Sequence, residues 1–212
     1  FCQKEIAPYT AQLDKTGEVP RSHFEKLYQS GFTGLAHEEE FGGTNSTHFF
    51  AVHFQEALAE ACGSTFFSVG ASVGLFGLPI REHGTDAQKA KYLPDIIQGK
   101  KIGALAVTEP GAGSDVANIQ TKAEYKKGKY YISGSKTYIT NAPVCDYILV
   151  LANVTVAPEE KDSIVRSGQT VFIVDANLKG VSRGKPMEKL GLKGSPTGEL
   201  FFDAVEVTQD NI

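Results

Sequence analysis

Cysteine is scarce in this chain: Cys2, Cys62 and Cys145 lie far apart, with no Cys-x-x-Cys pair among them. An odd, scattered set excludes a disulfide framework and fits a reducing intracellular compartment. An excess of one charge is also missing. Basic and acidic residues number 21 and 25, well mixed, for a formal net charge of −4, so no basic stripe offers itself to nucleic acid or an anionic membrane. The stretch between Glu60 and Arg81 has no charge at all, at about the length of a membrane-spanning helix. Its glycines (Gly63, Gly70, Gly74, Gly77), Pro79 and three serines (Ser64, Ser68, Ser72) make it only weakly apolar, and nothing nearby supplies a second span. It reads as a helix buried in a globular domain. Internal repeats and low-complexity tracts are absent, and 41% hydrophobic content over 212 residues allows a real core in one large or two small domains. No signal peptide opens the chain; Phe1 to Glu5 reads as a helix already under way, so the start is expected to be trimmed.

Several catalytic arrangements fail for want of a partner. Gly70-Ala71-Ser72-Val73-Gly74 has the form of a nucleophile elbow, but an elbow needs a strand before it and an acid, then a histidine, after it. The last histidine is His83, which sets hydrolysis aside. Gly111-Ala112-Gly113 opens like a dinucleotide fingerprint, yet Val116 stands at the third glycine position. Gly134-Ser135-Lys136-Thr137 has the wrong order for a P-loop. The histidines His23, His37, His48, His53 and His83 form no His-Glu-x-x-His, and His48 and His53 are five apart, off a common helical face. No metal site is expected.

What is present divides in two. From Phe1 to about Lys101 the pattern is helical: Phe24, Leu27 and Tyr28 share a face after Pro20, and Gly31 ends that helix. A helix starting near Ser46 or Thr47 should bury Phe50, Phe54, Ala57, Leu58 and Ala61. The uncharged helix follows, with Ser64, Ser68 and Ser72 repeating at i+4, as do Gly70 and Gly74, a stripe of small residues that suits close packing by a neighbour. Thr85-Asp86-Ala87-Gln88 fits a capping box, with a helix to Pro94 and one more turn from Pro94 to Gly99. Beyond Ile102 the period becomes two. Strands are expected at Ala104 to Val107, around Thr121, Ala123 and Tyr125, and, after a Lys127-Gly128 hairpin turn, at Tyr130 to Ile132. Lys136 to Thr140, Tyr147 to Val154, Thr170 to Asp175 and Leu200 to Val207 should follow, with turns at Gly134, Gly180 and Gly191 and a loop from Ala157 to Gly168. Helices then strands argue for an α+β chain: an all-helical domain over 1–102, then an antiparallel β-barrel-like domain over 103–212.

The string Ala104-Leu105-Ala106-Val107-Thr108-Glu109-Pro110-Gly111-Ala112-Gly113-Ser114-Asp115-Val116-Ala117-Asn118 reads as a short strand breaking into a loop of small residues. Gly111 and Gly113 free the backbone N–H groups to converge, and the hydroxyls of Thr108 and Ser114 add donors, an arrangement suited to oxygen-rich ligands. The string resembles the first signature of the acyl-CoA dehydrogenase family. Lys136-Thr137-Tyr138-Ile139-Thr140-Asn141 resembles that family's flavin-facing strand, with Tyr138 where tryptophan is frequent, and the run from Lys189 to Phe202 resembles a third segment. Glu38 to Gly43 is similar to its acidic-aromatic-Gly-Gly turn.

The resemblance implies FAD held by Leu105, Val107, Thr108, Gly113 and Ser114, with Tyr138, Ile139 and Thr140 on the ring's other side and Ser114 also near a thioester substrate. It implies removal of an α-proton from an acyl-CoA by a carboxylate base while the β-hydrogen leaves as hydride to the flavin, giving a trans-2-enoyl product. The small-residue stripe then becomes a wall for the acyl chain. The family's base is a glutamate in a C-terminal four-helix domain, which is expected to be absent here, so no catalytic residue is assigned, Glu109 is read as a loop anchor, and this polypeptide alone is expected not to turn over. Family analogy adds electron-transferring flavoprotein as acceptor, a homotetramer, and a cytoplasmic or mitochondrial-matrix location. An acyl-CoA oxidase, an acyl-carrier-protein dehydrogenase and a non-catalytic FAD/acyl-CoA binding module remain open alternatives.

Overall fold

The computed structural model describes residues 1–18 and 21–212, so Pro20 lies outside the described residues. Two compact units divide them: Phe1–Gly103 with Met187–Pro196, and Ala104–Pro186 with Thr197–Ile212. The second segment of the first unit falls within the 103–212 stretch expected to form one β domain. The Lys193 amide donates to Asp14 Oδ1 at 3.1 Å, and Gly194 lies so close to Leu13, Glu18 and Ser64 that a Cβ there would sit 3.1 Å from two of them.

In the first unit, α1 (Cys2–Glu5), α2 (Thr10–Thr16) and α3 (Arg21–Gln29) precede α4 (His48–Ala61), α5 (Gly63–Val69), α6 (Leu78–His83) and α7 (Asp86–Ile97). Thr47 caps α4 by accepting from the Phe50 amide, and Thr85 and Gln88 close a reciprocal capping box on α7. Helix α7 runs straight through Pro94, where a fresh turn was expected. Its inward residues Leu93, Ile96 and Ile97 are fully buried, and that packing holds the helix across the missing amide. In α4 only Ala51, Leu58 and Ala61 are buried, whereas Phe50 and Ala57, expected inside, are exposed. Tyr28 on α3 is likewise at the surface, beside the buried Phe24 and Leu27. Between α5 and α6 a π-helical segment, Gly70–Gly77, completes one helix from Gly63 to His83. That helix is long and apolar enough to cross a membrane by length and composition, and half of its most apolar window is buried in the protein.

The second unit is built on a seven-stranded sheet whose first strand begins at Gly103, the last residue of the first unit's long segment: β1 (Gly103–Ala106), β2 (Lys122–Lys126), β3 (Lys129–Thr140), β4 (Tyr147–Val156), β5 (Ser167–Asp175), β6 (Val181–Arg183) and β7 (Thr197–Val207). The order runs β1-β4-β2-β3-β7-β6, with β5 also paired to β4. The expected antiparallel pairing holds for β2 with β3, β3 with β7, β4 with β5 and β6 with β7, but β2 and β4 are parallel, so the sheet is mixed. Lys127 and Gly128, both at positive φ, make the two-residue hairpin turn between β2 and β3. Gly134, expected to be a turn, lies inside β3, which is a single strand. A Cβ there would come within 2.5 Å of Thr121 Oγ1, so the strand kinks at the one residue able to accept the approach.

Candidate flavin site on the sheet unit

Strand β1 turns Ala104 and Ala106 into the core and leaves Leu105 half-buried; Val107 and Thr108, just past its end, are half-buried too. The chain then reverses about Pro110-Gly111, because Glu109 and Ala112 exchange both backbone hydrogen bonds, at 2.9 and 3.1 Å. The Glu109 carboxylate fixes the base of this loop. Its Oε1 accepts from the Thr121 amide at 2.9 Å and from Lys136 Nζ at 2.8 Å, and its Oε2 accepts from the Gln120 amide at 2.6 Å. Burial alone would raise this carboxyl, but the donors from Lys136, Thr121 and Gln120 outweigh it and hold it at about 2. With both oxygens engaged it is an anchor and a poor base.

Strand β3 supplies the other half. Its ladder with β7 slips between Lys136 and Ile139, and inside that slip Tyr138 takes φ +58°, which throws its ring outward to 69% exposure. Thr140 is half-buried, whereas the Ile139 side chain lies in the core, so contact between Ile139 and a ligand would have to run through its backbone. Lys136 is fully buried and donates to the Val107 carbonyl at 2.9 Å as well as to Glu109. One residue on, the Thr137 amide donates to the Thr108 carbonyl at 2.9 Å. The two segments, some thirty positions apart, are thereby tied edge to edge: Val107 and Thr108 meet the residues just before Tyr138. Gly113 and Ser114 lie on the exposed limb of the loop, where a Cβ at Gly111 or Gly113 would meet nothing within 4 Å.

These features fit a flat, oxygen-rich cofactor: an outward aromatic ring, half-buried strand residues, and a backbone loop open to close approach. Sequence reasoning named every one of those positions but gave Lys136 no role. The available signal was strand phase. Tyr130, Ile132, Gly134 and Lys136 share parity, the first two are fully buried, and a lysine in that phase requires a buried acid. Among the described residues no three histidine, cysteine, aspartate or glutamate side chains come together to hold a metal ion.

Family profiles match in the same two pieces. The acyl-CoA dehydrogenase N-terminal domain matches residues 1–100 and the acyl-CoA dehydrogenase middle domain matches residues 104–205. The chain belongs to the acyl-CoA dehydrogenase family. Among its relatives are a 3-(aryl)acrylate reductase of Clostridium sporogenes, 38% identical over 212 residues, and an acyl-CoA dehydrogenase of Bacillus subtilis, 38% identical over 215. Both matches take in all of this chain, and 55% and 54% of the respective relatives. The chain thus spans about half the length of the curated relatives it matches. A solved acyl-CoA dehydrogenase of Bacillus anthracis complexed with FAD superposes with a TM-score of 0.85 at 30% identity, over 98% of this chain and 34% of that one.

Proposed function

We propose that this acyl-CoA dehydrogenase chain holds FAD on its sheet unit and forms part of an enzyme that dehydrogenates an acyl-CoA thioester to its trans-2-enoyl product. The observation that carries the reading is the pinning of Val107 and Thr108 to Lys136 and Thr137 beside an outward Tyr138. FAD, when bound, accepts the hydride. Leu105, Val107, Thr108, Gly113 and Ser114 would hold it from the loop side, with Tyr138 and Thr140 by side chain and Ile139 by backbone on the other. Each hydrogen bond is worth about 0.5–1.5 kcal/mol net, so affinity is shared over many contacts. Ser114 would also meet the thioester. The α-proton goes to a carboxylate other than Glu109, which is already committed to its three donors. Electron-transferring flavoprotein as acceptor and a tetrameric assembly belong to the same reading, as does a cytoplasmic location in a bacterium or a matrix location in a mitochondrion.

Purified full-length protein should show the flavin absorption bands and lose them on anaerobic addition of acyl-CoA, while the 212-residue chain alone should not turn over. Bands that persist under acyl-CoA point to a binding module; rapid recolouring by oxygen points to an oxidase; bleaching only by an acyl-carrier-protein thioester points to that carrier. A second reading, reduction of an α,β-unsaturated acyl group, is favoured by the name of the Clostridium relative. It is selected if an enoyl or arylacryloyl thioester reoxidises pre-reduced flavin faster than acyl-CoA bleaches it.

A further inference from the structure

A lysine with no exposed side-chain surface, paired with a glutamate that is 5% exposed, is an uneconomical way to stabilise a sheet. Desolvating two charges offsets most of their attraction, and an apolar pair of the same volume generally does as well or better. The fold provides for this pair all the same. Two consecutive amides, of Gln120 and Thr121, are turned onto Glu109, and the ammonium of Lys136 is divided between Glu109 and one main-chain oxygen. That oxygen is the Val107 carbonyl, and it belongs to the same peptide group as the Thr108 amide. A cation on the oxygen polarises the peptide and strengthens its N–H as a donor, the more so in a dry environment.

We propose that Lys136, oriented by Glu109, is a positioning residue for the cofactor: it fixes the Val107–Thr108 peptide and polarises the Thr108 amide toward the flavin. The assignment rests on the FAD reading and goes beyond it, because neither residue is among those expected to touch the cofactor. The neighbouring Thr137 amide, bonded to the Thr108 carbonyl, holds the same peptide run from its other side, so Lys136 acts on a backbone that is already located. Negative charge grows on the flavin ring as it is reduced. A strengthened donor therefore favours the reduced form over the oxidised one.

The test uses full-length protein, stripped of flavin and titrated with FAD. Lys136→Met should raise the Kd for FAD about tenfold and lower the midpoint potential of the bound flavin. A tenfold greater loss of affinity for reduced than for oxidised FAD corresponds to about 30 mV on a two-electron couple. If Lys136→Met leaves Glu109 buried, unpaired and the protein unfolded, the double variant Lys136→Met/Glu109→Gln removes both charges and should recover the thermal midpoint. The lowered potential and weakened FAD binding should persist in it. A double variant with wild-type affinity and potential overturns the proposal and reduces the pair to a fold element. If the wild-type protein takes up no FAD, the flavin reading fails and this inference with it; a failure confined to the variants leaves that reading standing.

Discussion

Tyr138 shows how one residue can be placed against its own preference. Its φ of +58° lies in the left-handed region, which a bulky L-residue occupies at a penalty of about 1–2 kcal/mol, and a core contact does not compensate, since the ring is 69% exposed. The bulge that imposes this conformation also turns the ring outward beside the Thr108 loop. Asparagine tolerates the left-handed region far better. Tyr138→Asn should therefore raise stability by up to about 1 kcal/mol in chemical denaturation, while FAD binding weakens several-fold through loss of an aromatic face worth about 0.5–1.5 kcal/mol. A variant that is less stable, or that binds FAD as the wild type does, would remove the case for a strained residue kept for its ring.

At the scale of an element, the helix from Gly63 to His83 separates two uses of small residues. Ser64, Ser68 and Ser72 are buried, and the Ser72 hydroxyl accepts from the Gly103 amide at 2.9 Å, so that stripe is the close-packed one. Gly70 and Gly74 point elsewhere: a Cβ at either meets nothing within 4 Å, and both border an apolar cavity of about 70 Å³. Gly74→Ala should then stabilise the helix by about 1 kcal/mol, seen as a rise in thermal midpoint of about 2–4 °C. Gly103→Ala, whose Cβ would lie 2.5 Å from Phe76, should destabilise by about 1–3 kcal/mol. A fall for Gly74→Ala comparable to that for Gly103→Ala would mean that the open stripe is packed after all. The i, i+4 spacing displayed these small residues as one stripe; that the serines are buried and the glycines open depends on which neighbours the tertiary fold presents to each. The same limit explains Phe50 and Ala57: the 3.6-residue period located α4 and its cap at Thr47, whereas the narrow stripe of Ala51, Leu58 and Ala61 was decided by what packs on it. In the sheet, alternation and the Lys127-Gly128 turn were readable because they are local. The parallel pairing of β2 with β4 joins residues about thirty apart and leaves no local mark. The slip at Tyr138 is likewise a property of the β3–β7 register.

At the scale of the whole molecule, the two units each carry a buried group whose proton affinity is lowered, in different acid ranges. In the helical unit, His23 is 1% exposed and its Nδ1 lies 2.7 Å from the Thr65 hydroxyl, which itself donates to Cys62 Sγ. Burial, and then repulsion by Lys26, bring His23 down from 6.5 to about 4. Below pH 6.5 the unfolded chain takes a proton that the folded unit refuses, so stability present above 6.5 declines until about pH 4, a loss of about 3 kcal/mol. His37, buried in the same unit and also lowered, acts in the same direction. In the sheet unit, Glu109 is held at about 2 against an ordinary 4.5. Its contribution is complete above pH 4.5 and is lost as pH falls toward 2, again by about 3 kcal/mol. A chain of two units need not unfold in one step. Hydrogen exchange at a series of pH values should show α3 losing protection between about pH 6.5 and 4, while β3 keeps its protection until the pH drops below 4.5. His23→Gln, which can still bond to Thr65, should flatten the upper loss without touching the lower. Loss of protection in α3 and β3 at one common pH, unchanged by His23→Gln, would mean that the units unfold together and that His23 is not what sets the acid limit of the helical one.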